Sequence, residues 1–248
     1  MRKTLLFLIL IIVCSLTVSC GKNEHRGGLL SWFKKGQEEP QGELAQLIQK
    51  ALREYRRGYW EMAEETFRTI RDRYPDSPYA LWAELKLADC KFYAKQYLEA
   101  IVLYEEFEKL HPTNEAVPYV IFQIGTCYYK LMLPPDRDQS FSHKVIETYD
   151  RLLKQFPDSP YVVEAKRRIQ EARERLGAHE LYVAQFYHRT KRYRAAYYRI
   201  LYLLQTYPET KAAQKAKRLT RKYYAKALEE TRALAAGTLK DFWGQPVR

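Results

Sequence analysis

A proline-containing turn recurs four times after an amphipathic stretch, and it constrains the fold more than any other feature of the chain. The four turns are Tyr74-Pro75, His111-Pro112, Phe156-Pro157 and Tyr207-Pro208. Twelve residues before the prolines stand Ala63, Ala100, Val145 and Ala196; eight before them stand Phe67, Tyr104, Tyr149 and Ile200; five before them stand Ile70, Phe107, Leu152 and Leu203. A small residue followed by two large apolar residues therefore precedes every turn at the same spacing.

This pattern is typical of the second helix of a tetratricopeptide repeat, a helical hairpin that ends in proline. A single hairpin cannot bury its own apolar face, so such hairpins stack on one another into a solenoid. The sequence predicts an all-α tetratricopeptide-repeat solenoid of about five helical hairpins. Solenoids of this kind bind peptides and proteins, which favours a scaffold over an enzyme.

The repeat register predicts where each second helix begins. With the proline at position 32 of a 34-residue repeat, position 17 falls on Trp60, Tyr97 and Tyr193. The third repeat is split by eight extra residues within 133–141. Pro134-Pro135 cannot continue a helix, so this segment is predicted to be a protruding loop.

Two later segments depart from the regular spacing. A long helical pattern runs to about Leu176 and precedes a fourth hairpin that starts near Gly177. The last helix, 211–235, is interpreted as a fifth, degenerate hairpin that is broken near Tyr224. The predicted organisation is therefore a signal peptide at 1–19, a lipidated tether at 20–43, repeats 1 and 2 at 44–114, repeat 3 with its insert at 115–176, repeats 4 and 5 at 177–236, and a tail at 237–248.

The first twenty residues predict export and lipidation. Arg2-Lys3 precede an apolar run from Leu5 to Val13, as in a secretory signal. Ser19-Cys20-Gly21 follows and is typical of a bacterial lipobox, although Thr17 stands where Leu is usual. The alternative is an ordinary secretory signal that contains a cysteine.

Lipidation would give Cys20 an S-diacylglycerol and an N-acyl group, and no other cofactor is expected. Two or more acyl chains suffice for stable membrane anchoring. Gly21 rather than Asp after the cysteine predicts sorting to the outer membrane, with the protein on its periplasmic face. The tether contains an apolar cluster at residues 29–35. This cluster could either contact the membrane interface or pack on the repeats, and the sequence does not decide between the two.

Composition and motifs argue against several other functions. The chain is 46% apolar and 29% charged, with a net charge of +12, but its basic residues are interspersed with acidic ones and no nucleic-acid motif accompanies them. No catalytic residue and no metal site are predicted. His179-Glu180 could begin a zinc-binding His-Glu-x-x-His motif, but the second histidine would have to stand at position 183, which is Val183. Cys90 and Cys127 are predicted to be buried free thiols.

Aromatic residues are the main candidates for a binding site, since the chain has 21 tyrosines. The repeat register assigns one set to the groove-facing positions of first helices in repeats 1 to 3. This set suits an extended or C-terminal peptide with aromatic side chains, unless part of it belongs to the core. The candidate groove residues are Tyr55, Trp82, Phe92, Tyr93, Tyr119, Phe122 and Tyr129.

Repeat 4 instead offers a polar and basic surface that includes Gln185, His188 and Arg189. The two halves of the array are therefore expected to engage different partners.

Taken together, these features resemble the BamD family, lipoproteins of the β-barrel assembly machinery of bacterial outer membranes. The resemblance covers about residues 20–240. Besides the lipobox, it rests on Gly58-Tyr59-Trp60-Glu61-Met62-Ala63, Arg73-Tyr74-Pro75-Asp76-Ser77-Pro78-Tyr79, Asp136-Arg137-Asp138, Phe156-Pro157-Asp158-Ser159-Pro160-Tyr161 and Val183-Ala184-Gln185-Phe186-Tyr187. The chain departs from the family in Thr17, in a shorter insert and in the 29–35 cluster.

The resemblance implies a five-repeat scaffold whose C-terminal repeats hold the last periplasmic domain of the barrel protein BamA. It implies that the N-terminal repeats receive targeting segments of unfolded outer-membrane proteins, and that further lipoproteins of the machinery are partners. Arg194 and Arg199 become candidates for the BamA contact, with a solvated helix face as the alternative. The competing function is a scaffold of the division or peptidoglycan apparatus.

Overall fold

The computed structural model describes residues 40–238, and this part of the chain is helical throughout, without strands. The helices are α1 (Gly42–Arg57), α2 (Trp60–Arg73), α3 (Pro78–Tyr93), α4 (Tyr97–Leu110), α5 (Val117–Leu131), α6 (Ser140–Gln155), α7 (Val162–Arg189), α8 (Tyr193–Thr206) and α9 (Lys211–Ala235). The chain divides into two compact units after Gln46. All packing described below lies within the second unit.

The helix boundaries confirm the register predicted from the prolines. Trp60, Tyr97 and Tyr193 are the first residues of α2, α4 and α8. The helices α2, α4, α6 and α8 each end two residues before their proline, because the residue before a proline is disfavoured in helical conformation.

The turn inside three of the hairpins uses one residue in the left-handed region. Gly58 has φ +80°, and Lys95 and Lys191 have φ values of 64° and 60°. Each of these residues stands two positions before the aromatic that opens the second helix. The same backbone turn is thus built with glycine in the first hairpin and with lysine in the second and fourth, where a side chain makes this conformation more costly.

Successive helices from α2 to α9 pack on one another, and the recurring small residues lie at their contacts. Ala63, Ala100, Val145 and Ala196 are all fully buried. The large apolar residues at the two following positions of the pattern are buried as well, with at most 3% of their surface exposed. The predicted core of the second helices is therefore confirmed.

Gly125 on α5 allows a close contact between α5 and α6. A Cβ added to Gly125 would lie 2.5 Å from Cε1 of Tyr149 on α6. The Tyr149 ring is itself fully buried, so it cannot move aside. Glycine is required here because the ring occupies the space that any side chain would need.

The long helical pattern and the first helix of the fourth hairpin form one continuous helix, α7, of 28 residues. The predicted boundary after residue 176 therefore falls inside a helix. Gly177 does not interrupt α7; it lets Thr210 approach, since a Cβ at Gly177 would lie 2.7 Å from the Thr210 hydroxyl. The glycine serves packing between α7 and the start of α9.

The last helix, α9, is also continuous through Tyr224, so the predicted break near that residue was wrong. Within residues 40–238 the array thus consists of four hairpins followed by one long helix. Buried alanines and Tyr223 hold α9 against the hairpin formed by α7 and α8. A single helix with one apolar side can cap a solenoid without a partner helix.

The insert between α5 and α6 is held in place by hydrogen bonds. The Arg175 guanidinium donates to the Leu133 carbonyl oxygen at 2.8 Å, and His179 Nδ1 lies 2.7 Å from the Pro135 carbonyl oxygen. The Gln139 side-chain amide donates to the carbonyl oxygens of Pro134 and Arg137. The insert is therefore a loop, as predicted, and α7 supports it.

Cys90 and Cys127 are both buried and free, which confirms the prediction of unpaired thiols. Burial raises the pKa of Cys127 to about 12 and also raises the pKa of Cys90. Both thiols therefore stay protonated and unreactive at neutral pH.

Replacing Gly125 with alanine tests the close contact between α5 and α6. We expect Gly125→Ala to destabilise the fold by about 1–3 kcal/mol, the usual cost of overpacking, although alanine favours helix over glycine by about 1 kcal/mol. The free energy of unfolding from urea titration measures the effect. In a Tyr149→Leu background the same change should cost less, because the ring is gone; an equal cost in both backgrounds would contradict the assigned contact.

Candidate functional site

Three of the four predicted groove residues of the first two repeats, Tyr55, Phe92 and Tyr93, lie in one aromatic cluster. The Tyr55 and Tyr93 rings meet edge to face with centroids 5.7 Å apart, and Tyr93 stacks on Trp60 at 4.9 Å. Phe92 joins the cluster through Tyr93 at 5.3 Å and through Tyr97 at 5.7 Å. These rings are all half-buried, so each presents part of its surface to solvent.

Trp82 does not belong to this cluster, which corrects the prediction. Its side chain lies in the core with 2% of its surface exposed, and its ring packs edge to face on Phe67 at 5.1 Å. The pattern placed it at a groove position because α3 is apolar on nearly all sides, and periodicity cannot distinguish two faces of such a helix.

A buried carboxylate connects this cluster to the next hairpin. Asp89 on α3 is fully buried and accepts hydrogen bonds from Lys86 at 2.6 Å, from the Tyr104 hydroxyl at 2.6 Å and from the Tyr119 hydroxyl at 2.7 Å. The Lys86 ammonium also lies over the Tyr55 ring, 4.9 Å from its centroid. Burial, reinforced by the Asp89 charge, holds the pKa of Tyr119 well above its usual value, so the phenol remains a hydrogen-bond donor.

The groove residues of the third repeat form a second aromatic cluster. Phe122 stacks on Tyr161 with centroids 4.8 Å apart, and Tyr119 lies 6.0 Å from the same ring. The Arg168 guanidinium lies over the rings of Phe122 and Tyr129, at 4.9 Å and 5.1 Å from their centroids. Tyr119 thus contacts both the buried carboxylate and this second cluster.

Arg168 on α7 orders the second cluster. Its side chain is only 15% exposed and donates to the hydroxyls of Thr126 and Tyr149, at 2.6 Å and 2.8 Å, and to Glu164 at 2.7 Å. Hydrogen bonds from Arg167 and Arg168 lower the pKa of Glu164 to about 2. The cation–π contacts are therefore made by a guanidinium whose position is already fixed.

Tyr129 is oriented from its other end, because its hydroxyl donates to Glu171 of α7. This hydrogen bond, together with burial, raises the pKa of Tyr129.

Lys86, Asp89 and Arg168 were not predicted from the sequence. Their signal is weak, because Lys86 and Asp89 are single charged residues between apolar neighbours and Arg168 belongs to a run of basic residues, which also fits a solvated face. Chemically, the two clusters can bind aromatic or apolar side chains of a peptide by stacking and cation–π contacts. Within residues 40–238 no group of His, Cys, Asp or Glu side chains is placed to hold a metal ion.

The C-terminal half presents a different surface around Arg199 on α8. The Arg199 guanidinium pairs with Glu180 of α7 at 3.0 Å and remains 43% exposed. It borders an open depression of about 380 Å³ lined by Tyr187, Ala195, Tyr198 and Tyr202. Tyr198 and Tyr202 are 62% and 46% exposed, so the arginine stands among aromatic rings that face solvent.

The structure does not bring Arg194 into this depression. Arg194 lies in the first turn of α8, where its backbone N–H donates to Glu230 of α9 at 2.6 Å. Residues five apart on a helix lie on different faces, which separates Arg194 from Arg199.

His188 is not part of an open basic surface either. Its ring packs against Tyr223 and Tyr193, with centroids 4.5 Å and 5.3 Å away, and its Nε2 is buried. Burial lowers the pKa of His188, and the nearby charge of Lys222 lowers it further.

The predicted lipidation site, Cys20, and the 29–35 cluster lie outside the described residues. Among residues 40–238, no helix combines the length and the apolar character needed to span a bilayer.

Comparison with known proteins gives the family. The model of the family YfiO, outer membrane lipoprotein, matches residues 40–238. The outer membrane protein assembly factor BamD of Pasteurella multocida is 27% identical over 206 residues, which covers 79% of this chain and 78% of the relative. The BamD of Vibrio cholerae is 28% identical over 211 residues, covering 77% and 85%, and that of Xylella fastidiosa is 26% identical over 174 residues, covering 66% and 60%.

These matches confirm the resemblance to the BamD family that the motifs indicated. The family match extends over every described residue, from the first residues of α1 to the end of α9. The chain belongs to the outer membrane lipoprotein family YfiO.

Proposed function

We propose that this protein is a lipid-anchored scaffold of the β-barrel assembly machinery at the periplasmic face of the outer membrane. It binds a BamA-like barrel protein, further lipoproteins of the machinery, and unfolded outer-membrane proteins awaiting insertion. Support comes from the family and from relatives that are outer membrane protein assembly factors. The observation that carries the proposal is the pair of unlike surfaces, aromatic clusters on first helices and an arginine among exposed tyrosines on α8.

The two aromatic clusters are proposed as the site for unfolded substrates. Tyr93 of α3 contacts Tyr55 of α1, and Tyr119 of α5 reaches Asp89 of α3, so the candidate residues follow consecutive first helices. An extended peptide laid along them would meet one aromatic surface after another. Because Asp89 and Arg168 already fix several of these side chains, little ordering is needed when a peptide binds.

The surface around Arg199 is proposed as the site for the BamA-like partner. Arginine and tyrosine are enriched among the residues that dominate binding energy at protein interfaces. Tyr198, Tyr202 and Arg199 border a single depression, which a protruding side chain of a folded domain could fill. The half-exposed Arg199 can exchange part of its contact with Glu180 for an acidic group of the partner.

The anchor is proposed at Cys20. Acyl chains on this residue would hold the array at the membrane, since two chains suffice for stable anchoring.

Removing single rings tests the substrate site. We expect Phe122→Ala and Tyr129→Ala each to weaken binding of a peptide that ends in an aromatic residue by several-fold, since one aromatic contact contributes about 0.5–1.5 kcal/mol beyond area burial. Fluorescence anisotropy with a labelled peptide measures this, and circular dichroism checks helicity. Tyr224→Ala, which removes an exposed ring on α9, is the matched control; unchanged affinity in both groove variants would assign these rings to the core.

Charge reversal tests the partner site. Arg199→Glu should abolish co-purification of the BamA-like protein from detergent-solubilised envelopes, because losing one partner of a central ion pair costs about 2–5 kcal/mol. Lys166→Glu makes the same charge change at an exposed position of α7 and should have no effect. Glu180→Gln removes the internal ion pair alone and should retain the partner; normal recovery with folded Arg199→Glu would refute the site.

Substitution of the acylated cysteine tests the anchor. Cys20→Ala should leave the protein unprocessed or release it from the membrane fraction, and it should lose incorporation of labelled palmitate. Cys14→Ala changes the neighbouring cysteine of the same segment and should leave both unchanged. The proposal fails if the two variants fractionate and mature alike.

A further inference from the structure

The first half of α9 carries an exposed basic face. Between Lys211 and Leu228 the helix contains no acidic residue. The opposite side is formed by buried residues, among them Ala212, Ala213 and Ala216, which pack on α7 and α8. Six exposed cations make up what we call the α9 basic face: Lys211, Lys215, Lys217, Arg218, Arg221 and Lys222.

These cations differ from several basic side chains of the neighbouring helix α7. On α7, Arg167, Arg168 and Arg173 all pair with carboxylates. None of the six cations of the α9 basic face has an ion pair with any residue in the described range 40–238; the first ion pair of α9 joins Lys226 to Glu229. The charges of this face are therefore available to a partner.

The arrangement costs the isolated protein stability. Lys211 and Lys215, Lys217 and Arg221, and Arg218 and Lys222 are spaced four residues apart, where like charges repel across one helical turn. Lys211 also lies in the first turn of the helix, where the helix dipole disfavours cations. An anionic surface along the helix would relieve both effects.

We propose that the α9 basic face binds the phosphate headgroups of an anionic lipid leaflet. The twelve residues from Lys211 to Lys222 span about 18 Å of helix, so the six charges can meet several headgroups at once. Lysine and arginine near an anionic bilayer are each attracted to it electrostatically. The chain belongs to a family of outer membrane lipoproteins, so a bilayer surface is close.

A lipid surface fits this face better than an acidic protein does. The cores of protein interfaces are depleted of lysine and rely on aromatic anchors. On the α9 basic face the other exposed residues are Gln214 and Ala225, and the one exposed aromatic residue of α9, Tyr224, lies at the margin of the face. The aromatic residues suited to a protein partner lie around Arg199. This inference goes beyond the proposed function and depends on neither of the two binding sites proposed there.

Lysine footprinting on membranes tests the inference. The full chain, purified in detergent, is reconstituted into vesicles of phosphatidylcholine alone or with about 30% phosphatidylglycerol, and acetylation rates are measured at single lysines. We expect Lys215, Lys217 and Lys222 to react several-fold more slowly on the anionic vesicles and to recover their rates at about 0.5 M salt. Exposed Lys154 and Lys166, on α6 and α7, should react equally on both vesicles.

A charge-removal variant and its control complete the test. Lys215→Gln with Arg218→Gln should abolish the protection of Lys217 and Lys222, whereas Lys154→Gln with Lys166→Gln removes the same charge elsewhere and should retain it. Equal rates on both vesicle types in the folded wild-type chain would overturn the proposal. Protection that appears only on native envelope membranes would overturn it too, because it would assign the face to an acidic protein.

Discussion

The buried carboxylate of Asp89 is the interaction on which the N-terminal half of the array depends. An isolated charge at this depth would be prohibitively costly, and it is tolerated because donors from three helices surround it: Lys86 of α3, Tyr104 of α4 and Tyr119 of α5. Ion pairs nearer the surface also join these hairpins, Lys91 with Glu64 and Arg151 with Glu108. The Asp89 carboxylate is fully buried, and its three directed hydrogen bonds restrict the relative position of the helices most strongly. The charge therefore sets the register of the second hairpin against the third, and with it the position of the Tyr119 ring.

Arg168 has the corresponding role one hairpin further along, with the opposite sign. Its guanidinium joins α5, α6 and α7 through hydrogen bonds to Thr126, Tyr149 and Glu164. The same guanidinium lies against the faces of the Phe122 and Tyr129 rings. Buried polar networks of this type are retained where every member is satisfied. In both places a buried charge holds aromatic side chains at an edge of the core, so the surface that we propose for peptide binding is already ordered. Such preorganisation lowers the entropic cost of recognition, and it explains why half-buried rings rather than fully exposed ones carry the candidate site.

The sequence predicted the frame of this arrangement but not its polar centres. As predicted, three helices begin at Trp60, Tyr97 and Tyr193. Their positions could be predicted because prolines and small residues determine local geometry, and the spacing of these residues is visible in the sequence. The groove position predicted for Trp82 is wrong because α3 is apolar on nearly all sides. The boundary predicted near Gly177 falls inside α7, where the glycine packs against Thr210. The roles of Asp89 and Arg168 were not predicted because their hydrogen-bond partners other than Lys86 and Glu164 lie 15 to 42 residues away. Pairings at that separation depend on how hairpins stack, which no local pattern contains.

The two halves of the molecule also differ in how exposed their charged side chains are. In the N-terminal half, Asp89 and Lys86 are buried and paired with each other, so added salt should affect their interaction little. In the C-terminal half, Arg199 is half-exposed and the cations of the α9 basic face have no ion pair with any residue between 40 and 238. Interactions made by such charges form quickly and weaken as ionic strength rises. The peptide site that we propose therefore relies on fitted aromatic surfaces, whereas the contact that we propose between the α9 basic face and an anionic leaflet relies on exposed charges, which salt screens.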